Sequence, residues 1–145
     1  MEESLIGYYK EQLGIQVPNL NTYSPLTLAY IGDSVFDLLV KTYYVGRENM
    51  QVNKYHHLTS GVVKAHAQAE LIQALEPDLS EEELSIYKRG RNAQSYTKAK
   101  NASTVDYRMA TGLEALVGYL YLKGEYTRLV DLLKLGFIRT GVIEE

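Results

Sequence analysis

The sequence contains no cysteine and no tryptophan, and its most apolar stretches are each interrupted by an acid. Without cysteine, the chain can form no disulfide, no thiolate metal site and no cysteine nucleophile. The acidic N-terminus lacks the basic residues and apolar run that mark a secretory signal. The interrupted apolar stretches predict no membrane span. These absences favour a cytoplasmic protein that does not contact a membrane.

Positive charge is also limited. The chain contains 15 Lys and Arg residues and 18 Asp and Glu residues, which gives a net charge of −3 at pH 7. This balance argues against a strongly basic nucleic-acid-binding protein, so any such role must rest on a local patch. A chain of 145 residues fits one domain. We therefore expect a single domain over residues 1–145.

Helix signals recur along the chain, whereas the alternation typical of strands is weak. Ser24 and Pro25 form a helix start, with serine as the N-cap and proline at the first helical position. Ser80 and Glu83 have the spacing of a capping box. Apolar residues spaced three and four apart predict one continuous helix over residues 58–72. The pattern indicates an all-α single domain of about six helices.

Two apolar helices, over residues 26–40 and 111–122, each carry one acid without a basic residue one turn away. These acids are Asp33 and Glu114. Because an isolated buried carboxylate is costly, a cation that both acids share would supply the missing charge. Carboxylate oxygens suit Mg²⁺, so we expect both residues to be metal ligands in a catalytic site. The alternative is that both acids are solvated residues at helix edges.

A second acid on the first of these helices, Asp37, has a different environment in the sequence. Lys41 follows it by four residues, one helical turn on. The spacing predicts an ordinary helix ion pair. We therefore rank Asp37 below Asp33 as a site residue.

Gly32 and Gly118 lie beside the two acids, although glycine costs about 1 kcal/mol relative to alanine inside a helix. A close helix–helix crossing at the site would explain both glycines.

Basic residues are concentrated between residues 88 and 100, where there is no acid. We expect a loop over residues 90–102 in which Gly90 lets the backbone approach a ligand closely. The residues expected to contact nucleic-acid phosphates or sugars here are Lys88, Arg89, Arg91, Asn92, Lys98 and Lys100. The alternative is an ordinary solvated loop.

Four segments, taken together, resemble one known family. Residues 28–35, LAYIGDSV, are similar to the signature helix of the ribonuclease III endonuclease domain, and residues 113–122 are similar to its second acidic helix. Residues 62–70 and 88–93 resemble the Mini-ribonuclease III branch in particular. The resemblance extends over roughly residues 22–133. The chain ends at Glu145, which fits the absence of a separate double-stranded-RNA-binding domain in that branch.

The resemblance implies a helical homodimer that cuts double-stranded RNA with Mg²⁺ and leaves 5′-phosphate and 3′-hydroxyl ends. In this branch the substrate is a precursor of large-subunit ribosomal RNA, and a ribosomal protein that presents the RNA is a further candidate partner. By position, Asp33 and Glu114 match the catalytic acids. Tyr30 matches an aromatic residue that enters a socket on the partner subunit, with Gly32 at the same interface. His56 lies near a basic position that could contact RNA.

The sequence departs from the full-length enzymes at three positions where they carry further acids. These positions hold Leu26, Ala29 and Thr111. Fewer carboxylates favour one firmly held Mg²⁺ per subunit, with a second recruited by RNA phosphates. They also leave two alternatives open, a non-catalytic RNA-binding or ribosome-assembly module on the same fold and a helical protein–protein adaptor.

Overall fold

A computed structural model describes residues 4–93 and 104–144. In chain order, its α-helices are α1 (Leu5–Leu13), α2 (Pro25–Arg47), α3 (Val52–Val63), α4 (Ala65–Leu75), α5 (Glu81–Asn92), α6 (Thr104–Lys123) and α7 (Tyr126–Arg139). Two short 3₁₀ turns, Leu20–Thr22 and Glu76–Asp78, connect neighbouring helices. The all-α prediction is confirmed, with seven α-helices in the described residues against the expected six or so.

The predicted helix starts depend on side-chain caps. The backbone N–H of Thr27 donates to the hydroxyl of Ser24 over 3.1 Å, and Pro25 occupies the first turn of α2. At α5, Glu83 N–H donates to the Ser80 hydroxyl over 3.1 Å, while Ser80 N–H donates to the Glu83 carboxylate over 2.8 Å. These bonds satisfy amide groups that lack partners inside their helices.

Helix α6 is the centre of the domain, with α2, α4, α5 and α7 packed around it. It is buried on almost every face, which explains an apolar composition without a strong polar stripe. Among the side chains that fill the core around it are Leu28, Phe36, Ile72, Leu75, Tyr87, Leu113 and Leu116. Within residues 4–93 and 104–144, no helix combines the length and apolar character required to span a bilayer.

The crossing of α2 and α6 is a direct backbone contact. A Cβ atom built on Gly32 would lie 1.7 Å from the carbonyl oxygen of Glu114. Reciprocally, a Cβ atom on Gly118 would lie 2.0 Å from the carbonyl oxygen of Leu28. Only glycine fits at either position without separating the helices. The predicted close crossing is confirmed.

The prediction of one helix over residues 58–72 was wrong, because the chain breaks at Lys64. This residue has extended backbone angles, φ −65° and ψ 154°, and it separates α3 from α4. Helix α3 packs on α2, whereas α4 packs on α6 and α7. The apolar spacing continues across the break because both helices turn an apolar face to the same core. Neither glycine nor proline occupies position 64 or the positions on either side of it, so no local signal predicts the bend.

The prediction that a loop starts at residue 90 was wrong, since α5 continues to Asn92. Gly90 is buried, and a Cβ atom on it would lie 2.7 Å from Ala115 Cβ and 2.9 Å from Gly112 Cα. Its role is therefore tight packing of α5 on α6, not the predicted exposure of backbone to a ligand. Residues 94–103 lie outside the described part of the chain.

Adding a methyl group at the α2–α6 crossing should lower the free energy of unfolding far more than adding one at an open helix position. We expect Gly32→Ala to lower the free energy of unfolding by about 2 kcal/mol or more, because the new Cβ would overlap the Glu114 carbonyl. The matched control is Gly61→Ala in α3, where a Cβ atom meets nothing within 4 Å. That change should stabilise the protein by up to about 1 kcal/mol through helix propensity. Urea unfolding of both variants measures the difference, and equal effects would contradict the crossing.

Candidate functional site

The α2–α6 crossing brings together the two acids that the sequence singled out. Asp33 follows Gly32 on α2, and Gly32 packs against the backbone of Glu114 on α6. Asp33 is exposed, whereas Glu114 is half-buried. No salt bridge joins either carboxylate to a basic side chain in the described ranges 4–93 and 104–144. The site is therefore a pair of neighbouring carboxyl groups at the edge of the core.

The electrostatics of this pair raise the pKa of Glu114 to about 8. The largest cause is burial, which disfavours the charged carboxylate. The nearby Asp33 carboxylate raises the pKa further, first through charge repulsion and then through a hydrogen bond to the protonated form. A cation bound between the two groups would relieve both effects, because it would compensate the negative charge.

Gln68 on α4 is a third polar side chain at the site. It is only 2% exposed, and its Nε2 donates to Oε2 of Glu114 over 3.5 Å. Gln68 lies in residues 62–70, the segment that resembles the Mini-ribonuclease III branch, but the sequence does not show which way its side chain points. The sequence did not predict the break at Lys64. This break sets the direction of α4 and therefore the position of the Gln68 side chain.

Small or apolar residues occupy the three positions where further acids were expected in the family. Ala29 is 7% exposed, and Thr111 is 8% exposed with its hydroxyl donating to the Tyr107 carbonyl over 3.0 Å. Leu26 is exposed and carries no oxygen on its side chain. In the described part of the chain, no group of three or more His, Asp or Glu side chains is arranged to hold a metal ion.

The residues that are present nevertheless fit a hard divalent cation. Asp33 and Glu114 provide carboxylate oxygens, and Gln68 adds an amide close by. Such oxygen donors suit Mg²⁺, which keeps several waters when only one or two carboxylates bind it. The donor set in the described residues is small, with two carboxylates and one amide.

Asp37 is separate from this pair, as predicted. Its carboxylate lies 2.9 Å from the Lys41 ammonium, one turn along α2. The charge of Asp37 is therefore compensated within its own helix.

The last turn of α5 carries basic groups, and its Gly90 packs against α6. Lys88 and Arg89 are exposed there, close to Gly90, which packs against residues 111–115. The Arg91 guanidinium lies 5.6 Å from the centre of the Tyr87 ring. Its Nε donates over 3.2 Å to the side chain of Asn92. Lys98 and Lys100 lie outside the described residues.

The three histidines do not form a shared metal site. His56 and His57 are exposed on α3. His66 has its Nδ1 2.9 Å from the Asp106 carboxylate and its Nε2 2.9 Å from the Glu70 carboxylate. These acids raise the pKa of His66, the hydrogen bond to Asp106 having the largest effect.

Tyr30 projects from α2 with 79% of its surface exposed. Next to it, α1, α2, α6 and α7 enclose an apolar groove of roughly 440 Å³. The groove is lined on its α2 and α6 sides by Ile31, Ser34, Val35, Leu38 and Tyr121. Gly32, by contrast, is buried against α6 of its own chain. This position differs from the expected place of Gly32 at a dimer interface, since α6 already covers it.

Comparisons with known proteins agree with this geometry. The family described as Ribonuclease III domain matches residues 26–125. A Mini-ribonuclease 3 from Clostridium tetani is 48% identical over 118 residues, which cover 81% of this chain and 78% of that relative. A Mini-ribonuclease 3 from Thermoanaerobacter sp. is 44% identical over 145 residues, 100% of both chains. A crystal structure from Fusobacterium nucleatum has the same fold, with a TM-score of 0.75 at 24% identity, covering 88% of this chain and 100% of that one.

The raised pKa of Glu114 predicts a pH-dependent cost to stability. In EDTA, Glu114→Gln should melt about 5 °C higher than the wild type at pH 8. The unfolded chain ionises Glu114 near its ordinary pKa of 4.5, whereas the folded state keeps the proton up to about pH 8. Glu114 therefore does not lower the free energy of unfolding below pH 4.5, where it is protonated in both states. The free energy of unfolding falls as the pH rises from 4.5 toward 8.

Melting curves between pH 5 and 8.5 should therefore show the gap between variant and wild type widening with pH. Asp37→Asn is the matched control, because Asp37 is paired with Lys41 at 2.9 Å. It should give no gain at pH 8. A constant gap for Glu114→Gln across the pH range would contradict the assigned electrostatics.

Proposed function

Because this chain belongs to the ribonuclease III family and, within it, to the Mini-ribonuclease 3 group, we propose that it is a Mg²⁺-dependent endonuclease of double-stranded RNA. The family is one of endoribonucleases that act on double-stranded RNA. The observation that carries the proposal for this chain is the carboxyl pair at the α2–α6 crossing, which has no basic partner among the described residues.

In this proposal Asp33 and Glu114 hold the metal and face the scissile phosphate. A divalent cation held by these two carboxylates would supply an activated water and would neutralise charge that develops on the phosphate. Glu114 must give up its proton for this role, and it binds the metal as a carboxylate. The close crossing keeps the backbones of the two helices in a fixed relation, so both carboxyl groups are near each other before metal and RNA bind.

The basic end of α5 is proposed to hold the RNA backbone. Lys88 and Arg89 are exposed near the end of α5, so their charges are available to phosphates of a bound duplex. Arg91 and Asn92 continue this surface, Lys98 and Lys100 are assigned to it by sequence, and His56 is a further candidate contact on α3. Duplex RNA is read mainly through its shape, phosphates and 2′-hydroxyls, which fits such side chains.

The enzyme is further proposed to act as a homodimer. Tyr30 is a large aromatic side chain that stands exposed beside an apolar groove. A two-fold arrangement would place the Tyr30 of each subunit in the groove of the other, which buries both surfaces. Two sites would then cut the two strands of one duplex and leave 5′-phosphate and 3′-hydroxyl ends.

We propose that the biological substrate is a precursor of large-subunit ribosomal RNA. The support is membership of the Mini-ribonuclease 3 group. A ribosomal protein that presents the RNA would supply specificity that a backbone-reading surface lacks. Such a reaction belongs in the cytoplasm.

The direct test of the catalytic roles uses isosteric amides. Asp33→Asn and Glu114→Gln should each reduce cleavage of a long RNA duplex in Mg²⁺ by more than about 100-fold, since each change removes a charged metal ligand. Asp37→Asn is the matched control on α2, and it should cut at close to the wild-type rate. Full cutting by either of the first two variants would contradict the assigned roles.

A second candidate function is a binding module that does not cut RNA. The observation that favours it is the small donor set, since Ala29 and Thr111 are buried where acids were expected. In that case the wild-type protein would bind duplex RNA in Mg²⁺ and leave it intact. Gel analysis of precursor ribosomal RNA incubated with the protein, with end mapping of products, separates the two functions.

The proposed dimer depends on the exposed aromatic side chain. Tyr30→Glu should weaken self-association by about 30-fold or more, as expected when a buried aromatic anchor is lost. Val52→Glu, at a 63% exposed position on α3 away from the groove, is the control and should leave the dimer intact. Sedimentation equilibrium measures both variants. An unchanged dimer for Tyr30→Glu would remove Tyr30 from the interface.

A further inference from the structure

Four polar side chains are buried in the described part of the chain: Thr59, Gln68, Glu83 and Thr111. Glu83 is paired with Arg128 over 2.7 Å, and Thr111 donates to its own helix. Gln68 differs because it reaches from α4 across to α6 and meets Glu114. It is therefore the buried polar group that contacts the proposed metal site.

The surroundings of Gln68 do not favour an amide on grounds of stability. The neighbouring positions Ala69, Leu71 and Ile72 are all buried and apolar. A leucine would fill the same space without the cost of burying an amide whose hydrogen bond, at 3.5 Å, is long. An amide at this position therefore indicates a role toward Glu114.

We propose that Gln68 is a positioning residue for the cation site, holding one oxygen of Glu114 so that the other faces Asp33. This inference rests on the proposed function, because it assumes that Glu114 binds the metal. A glutamate side chain has several rotatable bonds, and ordering them on metal binding costs entropy. A hydrogen bond from a neighbouring helix fixes the carboxylate in advance, as partners of metal ligands commonly do.

The same inference explains how a small donor set can suffice. Two of the three positions where further acids were expected hold Ala29 and Thr111, which are buried and cannot orient Glu114. Gln68 approaches from a third helix, α4, and fixes the carboxylate without adding another negative charge. Because the amide is neutral, it does not increase the repulsion within the carboxyl pair.

The test compares two leucine substitutions on α4. Gln68→Leu removes the amide beside Glu114, whereas Gln73→Leu removes an exposed amide whose Nε2 lies 4.0 Å from the sulfur of Met109. Binding of Mn²⁺ to the RNA-free protein is measured by calorimetry. We expect Gln68→Leu to weaken Mn²⁺ binding by about 10- to 100-fold and Gln73→Leu to leave it unchanged. In cleavage assays, Gln68→Leu should need a correspondingly higher Mg²⁺ concentration and recover most of its rate when that is supplied.

The outcomes separate this inference from the function on which it rests. Wild-type affinity for Mn²⁺ in Gln68→Leu would overturn the positioning role and leave the metal site intact. Absence of Mn²⁺ binding in the wild type itself would instead overturn the metal site. Should Gln68→Leu fail to fold by circular dichroism, Gln68→Met keeps the length of the side chain without a donor and is expected to give the same loss of affinity.

Discussion

The backbone contact between α2 and α6 is the constraint on which the rest of the structure depends. Gly32 meets the carbonyl of Glu114, and Gly118 meets the carbonyl of Leu28, so the two helices touch without side chains between them. This approach fixes the direction of α6, around which the other core helices pack. It also determines that Asp33 and Glu114 are neighbours. The same contact thus organises the core and assembles the candidate site.

The carboxyl pair is built at the expense of stability. Burial of Glu114 next to Asp33 raises its pKa to about 8, so the doubly charged pair is unfavourable at neutral pH. Gln68, the amide on α4, contacts Glu114 on its buried side. Gly90, next in sequence to the exposed basic residues Lys88 and Arg89, packs against Thr111, Gly112 and Ala115 of α6. One short stretch of α6 therefore carries Glu114 and also holds the end of α5 in place.

Features with a local cause could be predicted from the sequence. The caps at Ser24 and Ser80 follow from side chains that satisfy nearby amides, and the acid pair followed from missing basic neighbours. Features that depend on how the helices pack against one another could not be predicted from the sequence. The break at Lys64 has no glycine or proline to mark it, and the packing role of Gly90 depends on Gly112 across the interface. The contact of Gln68 with Glu114 depends on that break, so it required the structure.

The central claim is that one cation binds between Asp33 and Glu114. Crystals of the protein soaked in Mn²⁺, measured at a wavelength where manganese scatters anomalously, test it most directly. The account predicts an anomalous peak within bonding distance of carboxylate oxygens from both residues, with the Gln68 amide still in contact with Glu114. A peak bound elsewhere, or well-ordered carboxylates with no peak between them at saturating Mn²⁺, would contradict it.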